Sequence, residues 1–305
     1  MYLPWLRGKQ NELLALQELL KEGNLSKNIL PIIEPLKTST TFKRTLSMFN
    51  ENEREIAVIQ NTSLVDYPGF RTDDVDQLKA ADSFVWAYQL TAEARQVYLQ
   101  QDHKKMGILA ANSDLDDASE LDRSGDFLVL DRNDRHVMRK AHELNKISKV
   151  ELNDEFHKRS RNVDYIEVPD ELFSEEHLYY QDDGFKGFSD YSIIGGEYNE
   201  SGFAPRAVAI HLVYFDSNER LRVHHFVSDT NDDIHDPGNK FSEALHKMMS
   251  WVDSKNFDSK KNKSSALDDF RKINLAGRYP GLGVVKKLTL KHHLEIMGRY
   301  LDGVL

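Results

Sequence analysis

The 305-residue chain contains no cysteine. That excludes disulfides, thiolate-held zinc, iron–sulfur clusters and a cysteine nucleophile, and it fits a reducing, cytoplasmic compartment. No run of ~18 apolar residues occurs, so no membrane-spanning helix is expected. The stretch from Met1 to Lys21 is broken by Arg7, Lys9 and Glu12 and does not read as a signal peptide. Positive charge is in short supply: 40 Lys+Arg face 50 Asp+Glu, a formal charge of −10, which disfavours non-specific nucleic-acid binding. There is no glycine-rich phosphate loop after a strand, no serine-centred elbow, no HExxH and no Walker sequence. What is present is an ordinary globular composition, 40% apolar and 30% charged, in a chain long enough to bury a large core.

Periodicity organises the first half. Asn11 to Glu22 carries Leu13, Leu16 and Leu20 on one helical face, and Gly23 follows as a stop. Buried-strand runs follow at Ile29–Glu34, Glu55–Gln60, Phe84–Leu90, Met106–Ala111, Asp126–Asp131 and Ser148–Leu152, with helical stretches between them, including one over 114–124 and one after the Pro68-Gly69 turn. A seventh strand is predicted over Gly187–Ile194. Alternation of this kind predicts an α/β fold with a parallel sheet, and this many units favour a (β/α)8 TIM-like barrel over a doubly wound sheet. Arg206–Phe215 and Arg220–Val227 flank a turn at Asp216-Ser217-Asn218 and predict a β-hairpin embellishment in the second half. The expectation is a single barrel-like domain over 1–305, with a flexible polar loop at about 253–265.

Polar residues close most of these strands: Glu34, Gln60-Asn61, Gln89, Asn112 and Asp131, with Asp154 just beyond the sixth strand and Asp190 inside the seventh. In a β/α barrel the C-terminal strand ends form the face on which sites are built. Glu34, Asp131, Asp154 and Asp190 are therefore expected to converge, either as oxygen ligands for Mg²⁺ or Mn²⁺ or as an acid–base set. The bland alternative is that strand-ending Asp and Asn form turns and helix caps. Lys37, three residues after Glu34, is placed to contact an anion or to neutralise Glu34. His211 and His225 fall on the two strands of the hairpin, with Asp229 close behind, and offer acid–base or transition-metal chemistry. Candidate catalytic residues are thus Glu34, Lys37, Asp131, Asp190 and His211. Candidate metal ligands are Asp131, Asp154, Asp190, His225 and Asp229. Tyr179-Tyr180, Phe185 and Phe188 suggest a ligand- or partner-contacting surface, whereas adjacent His292-His293 on a helix do not chelate as a pair.

Several stretches resemble the phage beta-protein-like family: Tyr2-Leu-Pro-Trp-Leu-Arg-Gly-Lys-Gln10, Ile32-Ile-Glu-Pro-Leu-Lys37, Asp154-Glu-Phe156, Arg161-Asn-Val-Asp-Tyr165, Gly187-Phe-Ser-Asp-Tyr191, Ala207-Val-Ala-Ile-His211, His225-Phe-Val-Ser-Asp229, Tyr279-Pro-Gly-Leu-Gly283 and Lys287 to His293. The likeness spans nearly the whole chain and is nearest to a bacterial subfamily encoded beside a small PD-(D/E)xK nuclease-like protein. It implies an anti-phage defence or toxin-linked role, exercised by binding or regulating that nuclease-like neighbour, and it brings no catalytic set with it. The alternative expectation, read from the strand ends, is a metal-dependent hydrolase of phosphoesters or nucleotides.

Overall fold

A computed structural model describes residues 1–64, 78–109, 118–198 and 206–305. The chain divides into two compact units, where the sequence suggested one domain. The first comprises Met1–Glu22, Lys27–Asp154 and Glu176–Tyr191; the second comprises Gly23–Ser26, Glu155–Glu175 and Ser192–Leu305.

The first unit is an eight-stranded parallel barrel. Its strands are β1 (Trp5–Leu6), β2 (Ile32–Ile33), β3 (Ile56–Ile59), β4 (Phe84–Gln89), β5 (Lys105–Leu109), β6 (Phe127–Asp131), β7 (Ser148–Leu152) and β9 (Gly187–Ser189), hydrogen-bonded in that order. The last strand returns to the first: Leu3 and Trp5 donate to the carbonyls of Phe188 and Asp190 at 2.9 and 2.8 Å, and Phe188 donates to Met1 at 3.1 Å. The eighth strand is thus the N-terminal segment, which sequence periodicity did not reveal. The hairpin plays no part in closing the sheet.

Between strands run α1 (Gln10–Glu22), α2 (Thr40–Glu51), α3 (Ala92–Gln100), α4 (Arg135–Ala141) and the single turn α5 (Glu176–Tyr179). Their starts follow from capping. Ser39, Thr91 and Asp134 each accept backbone N–H bonds from the first helical turn, satisfying donors that the helix itself cannot. Alternate strand residues fill the barrel: Leu3, Trp5, Ile32, Ala57, Ile59, Val85, Ala87, Met106, Ile108, Val129, Val150 and Leu152 form one buried cluster. The helix expected over 114–124 is described only at Ala118–Leu121, a 3₁₀ turn; Asn112 and the Pro68-Gly69 turn lie outside the described residues.

Gly187 sits at the closing seam. A β-carbon there would lie 2.8 Å from the Met1 carbonyl oxygen and 3.0 Å from Leu3 Cδ1. Backbone cannot rotate aside as a side-chain tip can, so Gly187→Ala is expected to cost about 2 kcal/mol, read as a fall of a few degrees in Tm. An unchanged Tm would mean that the seam is not packed as described.

The second unit contains a three-stranded antiparallel sheet in the order β10 (Ala209–Phe215), β11 (Leu221–Val227), β8 (Asp170–Ser174). Its helices are α6 (Pro237–Val252), α7 (Ser265–Ala276) and α8 (Leu282–Leu301). Ile210, Leu212, Tyr214 and Phe226 join Phe241, Leu245, Met248, Leu267 and Phe270 in its core. The polar stretch at 253–265 is tied down within this unit. Asn262 is fully buried and clamps Phe215, accepting its N–H at 2.7 Å and donating to its carbonyl at 3.0 Å.

The resemblance to the phage beta-protein-like family does not hold. A parallel eight-stranded barrel is not the fold expected of that family. The shared stretches are short pieces of strand, turn and helix, such as β9 and the Gly281 entry to α8, and local features of that kind recur in unrelated folds.

Candidate active site at the mouth of the barrel

Strand geometry dictates what caps the barrel. Trp5, Ile32, Ile59, Ala87, Val129 and Leu152 point inward, so the residues two positions on, Arg7, Glu34, Asn61, Gln89, Asp131 and Asp154, continue the same face beyond the apolar layers. Tyr191 packs against that interior from just beyond the last strand. Above a dry core the sequence therefore turns abruptly polar, at the end of the barrel where loops and strand termini converge.

Glu34 is the hub. It is 1% exposed, and both carboxylate oxygens are engaged. Oε2 accepts from Trp5 Nε1 at 2.9 Å and from the Arg7 guanidinium. Oε1 accepts from Thr62 Oγ1 at 2.7 Å and from Gln89 Nε2 at 3.0 Å. Arg7 in turn lies over the rings of Tyr191 and Trp5, at 5.1 and 5.8 Å, a favourable placement of a cation on aromatic faces. Asn61 ties the third strand to the fourth, donating to the Gln89 carbonyl at 2.7 Å and accepting its N–H at 2.9 Å.

Around Tyr191 the charges are arranged to keep the phenol neutral. Burial pushes its pKa up; Arg7 opposes this, and Glu34, Asp154 and Asp131 add to it. A phenol held in this state is a hydrogen-bond donor across the whole physiological range. Asp131 is half-buried and accepts the Asn133 N–H at 2.9 Å, which forms the turn after β6. Asp154 is exposed. Asn133 Nδ2 donates to Asn153 Oδ1 at 3.1 Å and links the loops that carry these two carboxylates.

The structure thus assembles Glu34, Asp131 and Asp154 on one rim, and adds Arg7, Trp5, Gln89 and Tyr191. Comparison with family models, with curated proteins and with solved structures finds no match to this chain. The site therefore has to be read from its own chemistry.

Other candidates fall elsewhere. Asp190 is 3% exposed and accepts from Tyr2 Oη at 2.7 Å. It lies one residue out of phase with Ser189 and Tyr191, so the pleat turns it away from the barrel interior. Lys37 is exposed in the loop after β2, and Arg7 takes the role of neutralising Glu34. His211, His225 and Asp229 belong to the second unit. There His211 Nδ1 and His225 Nδ1 are 2.7 Å apart, and His225 Nε2 bonds Glu171 Oε1 at 3.2 Å. Burial, then the other imidazole, then Lys286, hold His211 well below the usual histidine pKa. Burial also lowers His225, against the pull of Glu171. Asp229 is ion-paired with Lys247 at 2.6 Å.

Among the described residues no group of three or more His, Asp or Glu side chains is arranged around a common metal position. The five-residue ligand set expected from sequence is therefore not assembled. The aromatic surface expected at 179–188 is largely interior: Tyr180, Phe185 and Phe188 are buried and only Tyr179 is exposed. No helix among the described residues is long and apolar enough to cross a membrane. The expectation of a nuclease-like partner and a defence role rested on the resemblance, the acidic charge and the lack of a catalytic motif, and neither the fold nor the comparisons bear on it.

Proposed function

We propose that the chain is a hydrolase of small phosphoesters whose active site is the mouth of the barrel. The observation that carries this reading is the polar ring of Arg7, Glu34, Gln89, Asp131, Asp154 and Tyr191 seated directly on an apolar core. Arg7 and Glu34 neutralise each other, so Asp131 and Asp154 leave an excess of two negative charges at the rim. An anionic substrate enters such a site in company with a divalent cation, which reverses the local sign. Mg²⁺ suits two carboxylates, because it retains several waters and is commonly held by one or two protein carboxylates together with substrate phosphate. Asp131 and Asp154 would hold the ion, which would supply a polarised water to attack phosphorus as the ester alkoxide leaves, and the neutral Tyr191 phenol would donate to a phosphoryl oxygen. Asp190, His225 and Asp229 have no part in this scheme.

Thermal unfolding with EDTA, Mg²⁺ or Mn²⁺ tests it. A cation at 100 times its Kd adds about 2.7 kcal/mol, a rise of a few degrees in Tm. The wild type is expected to show this rise and to hydrolyse bis-p-nitrophenyl phosphate with metal. Asp131→Asn and Asp154→Asn are each expected to lose both while still unfolding cooperatively. A wild type indifferent to every metal, or variants that keep the full shift, would remove the proposal.

A further inference from the structure

A second site stands apart from the barrel mouth, in the three-stranded sheet of the second unit. A groove of about 310 Å³ opens there between Ile166, Pro169, Phe226, Val227 and Trp251. Three polar side chains also line it, His224, Lys247 and His225, the last already bonded to Glu171.

His224 is held in an Asp–His pair. Its ring stacks on Trp251 at 4.6 Å, and Phe226 lies 4.4 Å away on the other contact. Its Nδ1 is 3.1 Å from Asp170 Oδ2. Asp170 also accepts from Tyr214 Oη at 2.8 Å and from Arg222 Nε at 2.6 Å. Burial raises the Asp170 pKa, but the bonds from His224, Tyr214 and Arg222 outweigh it and keep the carboxyl ionised. An ionised carboxylate only accepts, so Nδ1 donates to Asp170 and Nε2 is the ring nitrogen left for a ligand. The side chain is 19% exposed, and Nε2 has no hydrogen-bond partner among the described residues. Lys247 uses two of its three N–H donors, on the Val227 carbonyl at 2.7 Å and on Asp229 at 2.6 Å. The third is left for a ligand.

We propose that this groove binds a small apolar carboxylic acid, with its carboxyl group between His224 and Lys247 and its hydrocarbon or aromatic body against Trp251 and Phe226. The match is one of charge and polarity together. The walls are apolar, as in most small-ligand sites, and the polar groups are few and convergent. The acid's own proton passes to Nε2, which then donates to one carboxylate oxygen, and the other oxygen accepts from the ammonium. A fully polar anion such as phosphate would leave the apolar walls unmatched, and a neutral alcohol would offer the third N–H of Lys247 only an uncharged acceptor.

Calorimetric titration of the full chain with 4-phenylbutyrate, 4-phenylbutan-1-ol and inorganic phosphate decides it, with the His224 ring followed by NMR. The acid is expected to bind one per chain and to move the His224 resonances, and the alcohol to bind at least about tenfold more weakly. Phosphate is expected to leave His224 unmoved. His224→Phe keeps a ring on Trp251 but removes the nitrogen, and Lys247→Met removes the cation; each is expected to weaken the acid by about tenfold or more. The Lys247 side chain is 41% exposed, so that variant reports on binding even if His224→Phe fails to fold. No binding at millimolar acid, equal affinity for acid and alcohol, or a Lys247→Met variant that binds as the wild type does would overturn the proposal.

Discussion

Replacing Glu34 by leucine is expected to lower stability by about 3–5 kcal/mol, the range found when one partner of a buried ion pair is removed. Glu34 and Arg7 are 1% and 5% exposed, so the guanidinium that loses this carboxylate has little water to replace it. Trp5 Nε1, Thr62 Oγ1 and Gln89 Nε2 lose their acceptor in the same step. Glu34→Gln keeps the shape but turns an amide NH₂ toward at least one donor, so it is expected to cost less than leucine while remaining clearly destabilising. The double variant Arg7→Met/Glu34→Leu separates two explanations. If the cost is mainly an uncompensated charge, removing both charges recovers much of it, because well-packed apolar residues often replace a buried pair without loss. Urea unfolding of the two single variants and the double variant measures the coupling directly. A single variant costing under about 1 kcal/mol, or additive costs in the double, would show that this pair does not hold the mouth together.

The legibility of that mouth was uneven, for physical reasons. Glu34, Gln89, Asp131 and Asp154 were readable because a strand of alternating apolar residues announces its own end, and a barrel brings such ends together. Arg7 was not, because β1 is only two residues long and Pro4 interrupts the pattern before it. Tyr191 and Asp190 were exchanged in role by the period of two: once the seventh strand was run on to Ile194, nothing in the sequence set its phase. It stops at Ser189, and Ser192 has φ of 51°, which no continuing strand adopts. The second unit was harder. The chain leaves the barrel at Glu155 and rejoins it at Glu176, and a departure of that kind has no compositional mark. Within it, β8 reads Asp-Glu-Leu-Phe-Ser, too polar to suggest a strand, because Asp170 and Glu171 bond side chains of β11. The Lys/Ser-rich run before α7 looked like a free loop, yet Ser264 caps that helix by accepting from Leu267 N at 3.1 Å. Polar side chains in these places serve as internal ties, and composition alone does not tell a tie from a solvated surface.

Raising the pH from 5 to 9 is expected to weaken the wild type far more than Glu151→Gln. Glu151 lies on β7 between the inward-facing Val150 and Leu152 and is 1% exposed. Arg132 bonds its Oε2 at 2.8 Å and also contacts Glu176, with Asp183 3.5 Å from the other guanidinium nitrogen. Burial, and then the adjacent Glu176 carboxyl, push the Glu151 pKa up to about 8; Arg132 opposes this and Asp183 adds to it. Two carboxyls this close share one proton, as like charges do when both cannot ionise. The sign follows from proton counting. A carboxyl with a raised folded pKa binds more protons folded than unfolded throughout the interval from ordinary glutamate to about 8. Stability is therefore complete at and below about pH 4.3, the ordinary glutamate value. It falls as pH rises, by at most roughly 1.4 kcal/mol per unit and on the order of 5 kcal/mol across the interval. Glutamine fixes the neutral state, and Arg132 retains Glu176 and Asp183, so Glu151→Gln is expected to be comparable to the wild type near pH 5 and more stable than it at pH 9. Urea midpoints from pH 5 to 9 measure this, and Glu176→Gln is expected to flatten the profile partly, since it relieves the neighbour while leaving Glu151 buried. Parallel profiles for wild type and Glu151→Gln would place the shared proton elsewhere.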